Sequence, residues 1–159
     1  MGSHLLVALL ELVLSLIVLI SYLLTLERAL NKCAPASRTM KPGKVWLMLI
    51  PVFGFVWHFV IVINMTKSLG NEFRRLGTPR TEANLGQNIG LAHCVCTLCL
   101  VSLPLLGSLF ACPVFLILLG RLFAAIVSLV LWIAYWNRIA DSSRILDRHQ
   151  AVAPASPVS

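Results

Sequence analysis

The stretch Val45–Met65, VWLMLIPVFGFVWHFVIVINM, constrains this chain more than any other. It is apolar enough to enter a lipid bilayer, yet Pro51 and Gly54 interrupt its middle and His58 follows four residues later. Proline lacks an N–H and clashes with the preceding helical turn, and glycine tolerates the dihedrals of a sharp turn. The stretch either crosses the bilayer as a kinked helix or folds back on itself, and the placement of every other segment depends on which.

The remaining sequence points to the same solvent. The 159 residues are 58% hydrophobic and 12% charged, where a soluble domain carries about 25% charged residues. So much apolar surface cannot be kept dry by one small domain, which implies an integral membrane protein. The expected fold class is an all-α integral membrane bundle of four apolar segments, at about 5–26, 45–65, 89–110 and 113–136. Residues 1–150 form a single domain and 151–159 a disordered tail. The first segment is too long for a signal-peptide core and reads as an uncleaved span. Leu69, Phe73 and Leu76 recur at helical spacing among Lys67, Arg74 and Arg75, which predicts an amphipathic surface helix over about 66–76. The apolar run from Asn88 to Trp136 is too long for one span; Pro104, Gly107 and the Ala111-Cys112-Pro113 cluster offer the break. Trp132, Tyr135 and Trp136 read as an aromatic belt.

The net charge of +7 comes from 13 basic residues against six acidic ones. The basic residues flank apolar runs, a pattern of topology signals and anionic-lipid contacts, so nucleic acid is not an expected partner. Five lie between the first two apolar segments, four between the second and third, three after the last, and Arg121 lies inside the last. If 45–65 crosses the membrane, the better orientation places seven basic residues inside and five outside. If it enters and leaves on one face, bent at Pro51–Gly54, all twelve share a side. The positive-inside rule favours the second arrangement: three full spans plus a re-entrant or in-plane segment, with four full spans as the alternative. The basic loops and C-terminus are then cytoplasmic and the N-terminus outside.

Trp46, Leu49, Ile50, Pro51, Phe53, Trp57, Phe59 and Val60, followed by Ser68, Leu69, Glu72 and Phe73, resemble a family of small multi-span bacterial membrane proteins. Its members share a W-x-x-x-I-P core with a further Trp, ahead of a basic amphipathic stretch. The resemblance covers roughly residues 41–76, with a looser likeness over 132–138. It implies this architecture and a bacterial inner-membrane location, but no activity. Gly54 stands where many members carry Asn.

Two groups of residues could carry chemistry. Glu11, Ser15, Tyr22 and Thr25 share one helical face, which is expected to point into the bundle. In the three-span arrangement Glu11 and Arg121 lie at nearly equal depth, which predicts an intramembrane ion pair. His93, Cys96 and Cys99 follow one another at one-turn spacing, and His58 could join them from the broken segment; that set is a candidate for a soft metal, and the two histidines for a haem. Cys in an apolar helix more often serves packing, so no cofactor is the first expectation. Cys33 reads as a surface thiol in a basic loop. No Ser-His-Asp set, paired carboxylates or phosphate-cradling Gly loop is present, so the expected function is non-catalytic: a structural, accessory or regulatory component acting through helix packing, with a protein partner or a second copy. A transporter or channel-like component using Glu11, Arg121 and the broken segment is the alternative, and a metal- or haem-binding membrane protein the second.

Overall fold

The computed structural model describes residues 2–50, 52–78, 85–109 and 114–152, and these contain helices and turns but no strand. Helix α1 spans Gly2–Lys32, a 3₁₀ helix follows at Pro42–Leu49, and α2 (Phe53–Arg75), α3 (Gln87–Leu109) and α4 (Val114–Val152) complete the order. Three stretches are long and apolar enough to cross a membrane by length and composition: Leu5–Lys32, Phe53–Arg75 and Leu118–His149.

Side-chain contacts fix the helix directions. Tyr22 packs on Trp132, Trp136 donates a hydrogen bond to Thr25, and Lys32 reaches Ser143 and Asp147. Residue numbers rise together in these pairs, so α1 and α4 run parallel. Tyr22 also meets His58, which with the Ala34–Glu72 contact below sets α2 parallel to α1. Between α2 and α3 the numbers run oppositely: Gly90 lies against Val62, and Gly70 against Leu85. They do so again between α3 and α4, where Gly86 lies against Arg138 and His93 against Ser128. Helix α3 is therefore antiparallel to the other three. Gly90 allows the close crossing, because a methyl there would press on both Val62 and Tyr135, as small residues do at helix interfaces.

The segment from Ala34 to Ile50 returns along α2 as a nested antiparallel zipper. The Ala34 N–H donates to Glu72, the Asn71 side chain to the Ser37 carbonyl, the Thr39 hydroxyl to the Asn64 carbonyl, and the Trp57 indole to the Lys44 carbonyl at 2.8 Å. The chain reverses at Ile50–Gly54, where the Gly54 N–H donates to the Ile50 carbonyl at 2.7 Å. Val52 sits at φ 65°, ψ −55°, the strained dihedrals of the rare γ-turn. Gly54 is buried against the Met48 carbonyl, leaving no room for a Cβ. Pro51, the other expected breaker, lies outside the described residues. The expected bend is thus present, with Gly54 as its contact point.

Three expectations change. Residues 66–76 are not a separate surface helix: α2 runs unbroken to Arg75, and Leu69, Glu72 and Phe73 are fully buried. The returning segment bonds instead to the polar side of this stretch, at Asn64, Ser68, Asn71 and Glu72. Trp132, Tyr135 and Trp136 do not form an outward belt. Tyr135 is fully buried, and both tryptophans pack on Tyr22, with ring centroids 5.4 and 5.8 Å away. Helix α4 also runs to Val152, two residues into the expected 151–159 tail, and Ile139, Ser142, Ser143 and Leu146 extend a buried stripe along it at helical spacing. The break between the last two apolar segments falls between Leu109 and Val114; Pro104 is inside α3.

The core occupies one end. Leu26, Ala29, Leu30, Ile61, Met65, Leu69, Phe73, Ile139 and Leu146 are all fully buried toward the shared C-terminal end of α1, α2 and α4. At the other end Leu5 to Val18 of α1 and Leu118 to Val130 of α4 present large exposed apolar side chains. The described basic residues gather toward the packed end, Arg121 excepted. There Glu72, at 0% exposure, is held by Arg75 and the Ala34 N–H.

Two glycines separate the bend from ordinary loop effects. Gly54→Ala must displace the Met48 carbonyl and is expected to cost about 1–3 kcal/mol or more. Gly43→Ala, with nothing within 4 Å of the added methyl, should stay within about 0.5 kcal/mol. Thermal unfolding of the purified variants in one detergent measures both; equal stability of the two would remove the bend's dependence on Gly54.

Candidate functional site

Above the packed end, at the tip of the reversed segment, the helices line an open-sided cavity of about 650 Å³. Leu14, Ser15, Val18 and Leu19 of α1 form one wall, Met48, Ile50 and Val52 the tip, and Gly54, Phe55 and His58 of α2 a second wall. His93, Cys94, Thr97 and Leu98 of α3 and Trp132 of α4 close it. The size falls in the range of small-molecule sites, about 300–1,000 Å³. None of these lining residues carries a formal charge, and apart from Ser15 the polar ones lie on the side formed by α2, α3 and α4.

That side is a connected network. The Tyr22 hydroxyl and His58 Nε2 are 3.1 Å apart, and the His58 and His93 rings meet edge to face with centroids 5.3 Å apart. His93 Nδ1 lies 3.0 Å from both the carbonyl and the hydroxyl of Ser128. The Ser128 hydroxyl is 3.3 Å from that of Thr97, which donates to the His93 carbonyl at 2.9 Å. Four elements converge here for local reasons. Tyr22 belongs to the polar stripe of α1, and His93 and Thr97 lie four apart on one face of α3. Ser128 stands one turn before Trp132 on α4.

The expected site residues are divided by this geometry. His58 and His93 come together. Cys96 is half-buried and Cys99 exposed, and the described residues contain no group of three or more His, Cys, Asp or Glu that could hold a metal. The cause is the fan of the α3 positions: the face that turns His93 inward turns Cys99 out.

The Glu11–Arg121 pair is not among the three ion pairs of the described residues, and both side chains are exposed. The α1–α4 register nevertheless puts them level, since Tyr22 meets Trp132 at nearly the same offset. The polar face of α1 splits accordingly: Tyr22 and Thr25 point into the bundle, Ser15 reaches the cavity wall, and Glu11 lies beyond the packed region. Sequence reading missed Ser128 and Thr97 as site residues. Single hydroxyls in apolar runs give no signal until the register of α3 on α4 is known.

Cys33 is not a surface thiol. It is 1% exposed, its Sγ donates to the Ala29 carbonyl, and burial, with the Glu72 carboxylate nearby, pushes the thiol up to about 12. A thiol so placed is a poor target for acylation.

No family model, curated protein or solved structure matches the chain.

Alkylation of Cys33 should be about 100-fold slower at pH 8 than that of a cysteine introduced at exposed Ala36 in the same loop. Its rate should rise about tenfold per pH unit towards 12 while the fold persists. Labelling by maleimide with mass detection reads both; comparable rates at pH 8 would place Cys33 outside the core. Separately, Tyr22→Phe removes the one hydroxyl bonded to His58 and should lower stability by about 1 kcal/mol, measured by thermal unfolding.

Proposed function

We propose that this is a non-catalytic integral membrane protein, an accessory component, that holds an uncharged membrane-soluble small molecule in the cavity at the tip of its re-entrant segment. The observation that carries the reading is the cavity. Its described lining has no charge, its polar groups apart from Ser15 converge on one side, and reversed backbone forms its tip. Irregular backbone at membrane depth is tolerated only where it is buried in protein or lines a cavity, and broken segments mark binding sites in other membrane folds. In the proposed placement α1, α3 and α4 cross the bilayer. The zipper of the Ala34–Ile50 segment with α2 enters from the basic side and returns to it. The exposed apolar half faces lipid, and the basic end, on the cytoplasmic side, contacts anionic headgroups.

Two measurements test this. Cysteines introduced at exposed positions Ala36 and Thr78 should label from the same side of sealed vesicles; labelling from opposite sides would overturn the re-entrant placement. For the cavity, an ω-bromoundecyl methyl ether should quench tryptophan fluorescence of the reconstituted protein saturably. The saturable part should vanish in Trp132→Phe, because bromine quenches on contact and Trp132 closes the cavity. Quenching that stays proportional to probe concentration, and is the same in both proteins, would reflect lipid partitioning alone and overturn the binding reading.

A further inference from the structure

The hydrogen-bond partners of the two cavity histidines assign their protons, and the proton pattern selects a ligand. His93 Nδ1 lies 3.0 Å from both the carbonyl and the hydroxyl of Ser128; the carbonyl only accepts, and an Nδ1–H satisfies both contacts, since the hydroxyl oxygen accepts as well, so the hydrogen is assigned to Nδ1. The Ser128 hydroxyl is then free to donate to Thr97, whose own hydrogen goes to the His93 carbonyl. In the neutral ring, this leaves His93 Nε2 as a bare acceptor. At His58 the order is reversed. The Tyr22 hydroxyl is fully buried and His58 Nε2 is its partner, so the phenol donates and Nε2 accepts. The remaining His58 hydrogen is on Nδ1, which has no partner among the described residues. Both rings line the cavity. One therefore brings an unused donor and the other an unused acceptor, on rings 5.3 Å apart between centroids.

From this we infer that the cavity binds a lipid-soluble molecule with a hydroxyl head, an aliphatic alcohol or a phenol. Its oxygen accepts from His58 Nδ1–H while its hydrogen goes to His93 Nε2. One hydroxyl satisfies both groups; an ether or ester oxygen satisfies only the donor. A carboxylate or phosphate head finds no cation on the described lining and cannot donate to His93, and burying a charge without a partner is costly. The apolar wall formed by Leu14, Val18, Phe55 and Leu98 takes the hydrocarbon part. This inference rests on the proposed binding function and adds the class of head group.

The test uses unaltered protein reconstituted in neutral lipid, with Trp132-dependent quenching as readout. The probes are an ω-bromo-undecanol, its methyl ether and the ω-bromo-undecanoate. The alcohol should bind about tenfold or more tightly than the ether, because the ether leaves the His93 acceptor unpaired, and the carboxylate should bind more weakly still. Saturable binding of alcohol and ether with equal affinity overturns the hydroxyl assignment while leaving the cavity reading intact. A preference for the carboxylate does the same. Saturable quenching by none of the probes overturns the cavity reading itself. His93→Phe should abolish the alcohol's advantage while the ether still binds. Ser128→Ala, which keeps the backbone carbonyl that fixes the His93 proton, should preserve it. Loss in both or in neither contradicts the assignment.

Discussion

The reversal at Ile50–Gly54 is the constraint on which the other contacts depend. Gly54 lies against the Met48 carbonyl, and that approach lets the chain turn within a few residues instead of continuing as one helix. Once it turns, Ala34–Ile50 must lie along α2, and the polar side chains of α2 find partners there. Glu72 takes the Ala34 N–H, Ser68 engages Thr39, Asn71 donates to the Ser37 carbonyl, and Trp57 donates to the Lys44 carbonyl. The reversal also sets α1 and α2 parallel, which brings Tyr22 to the level of His58. The cavity network follows from that level.

Most of the helix inventory was legible from the sequence, because long apolar runs have few alternatives. The bend was legible from Pro51 and Gly54 and from the basic residues, whose distribution favours one face. The parallel relation of first and last spans followed from the same count, and α1 against α4 shows it. What escaped was the filling of faces. Leu69 and Phe73 have the spacing of a surface helix, yet both are fully buried in the bundle, and a loop segment bonds to the polar residues beside them. That segment, rich in turn residues, gives no periodic signal of its own. Trp132 and Trp136 sit where a belt would, but Tyr22 on α1 draws them inward.

The site was half legible. His58 and His93 stood out as histidines in apolar runs, and the re-entrant arrangement brought them to one depth. Their hydrogen-bond partners did not stand out, because a serine on α4 and a tyrosine on α1 become neighbours of histidines only through the packing of four elements. Cys96 and Cys99 drew attention by sequence proximity to His93, and helical rotation carries Cys99 away. Glu11 and Arg121 were matched by depth alone; in the structure they are level but both exposed, and they are not among the ion pairs of the described residues.

The nesting of the Ala34–Glu72 zipper bears on assembly. Every contact in it lies within a stretch of 39 residues, each pair enclosed by the next, and none needs α3 or α4. During synthesis the residues of this unit are made before those of either later helix, and His58 lies within its span. The polar network needs α3 and α4 as well, because His93 and Ser128 come from them, so its completion depends on residues outside the unit.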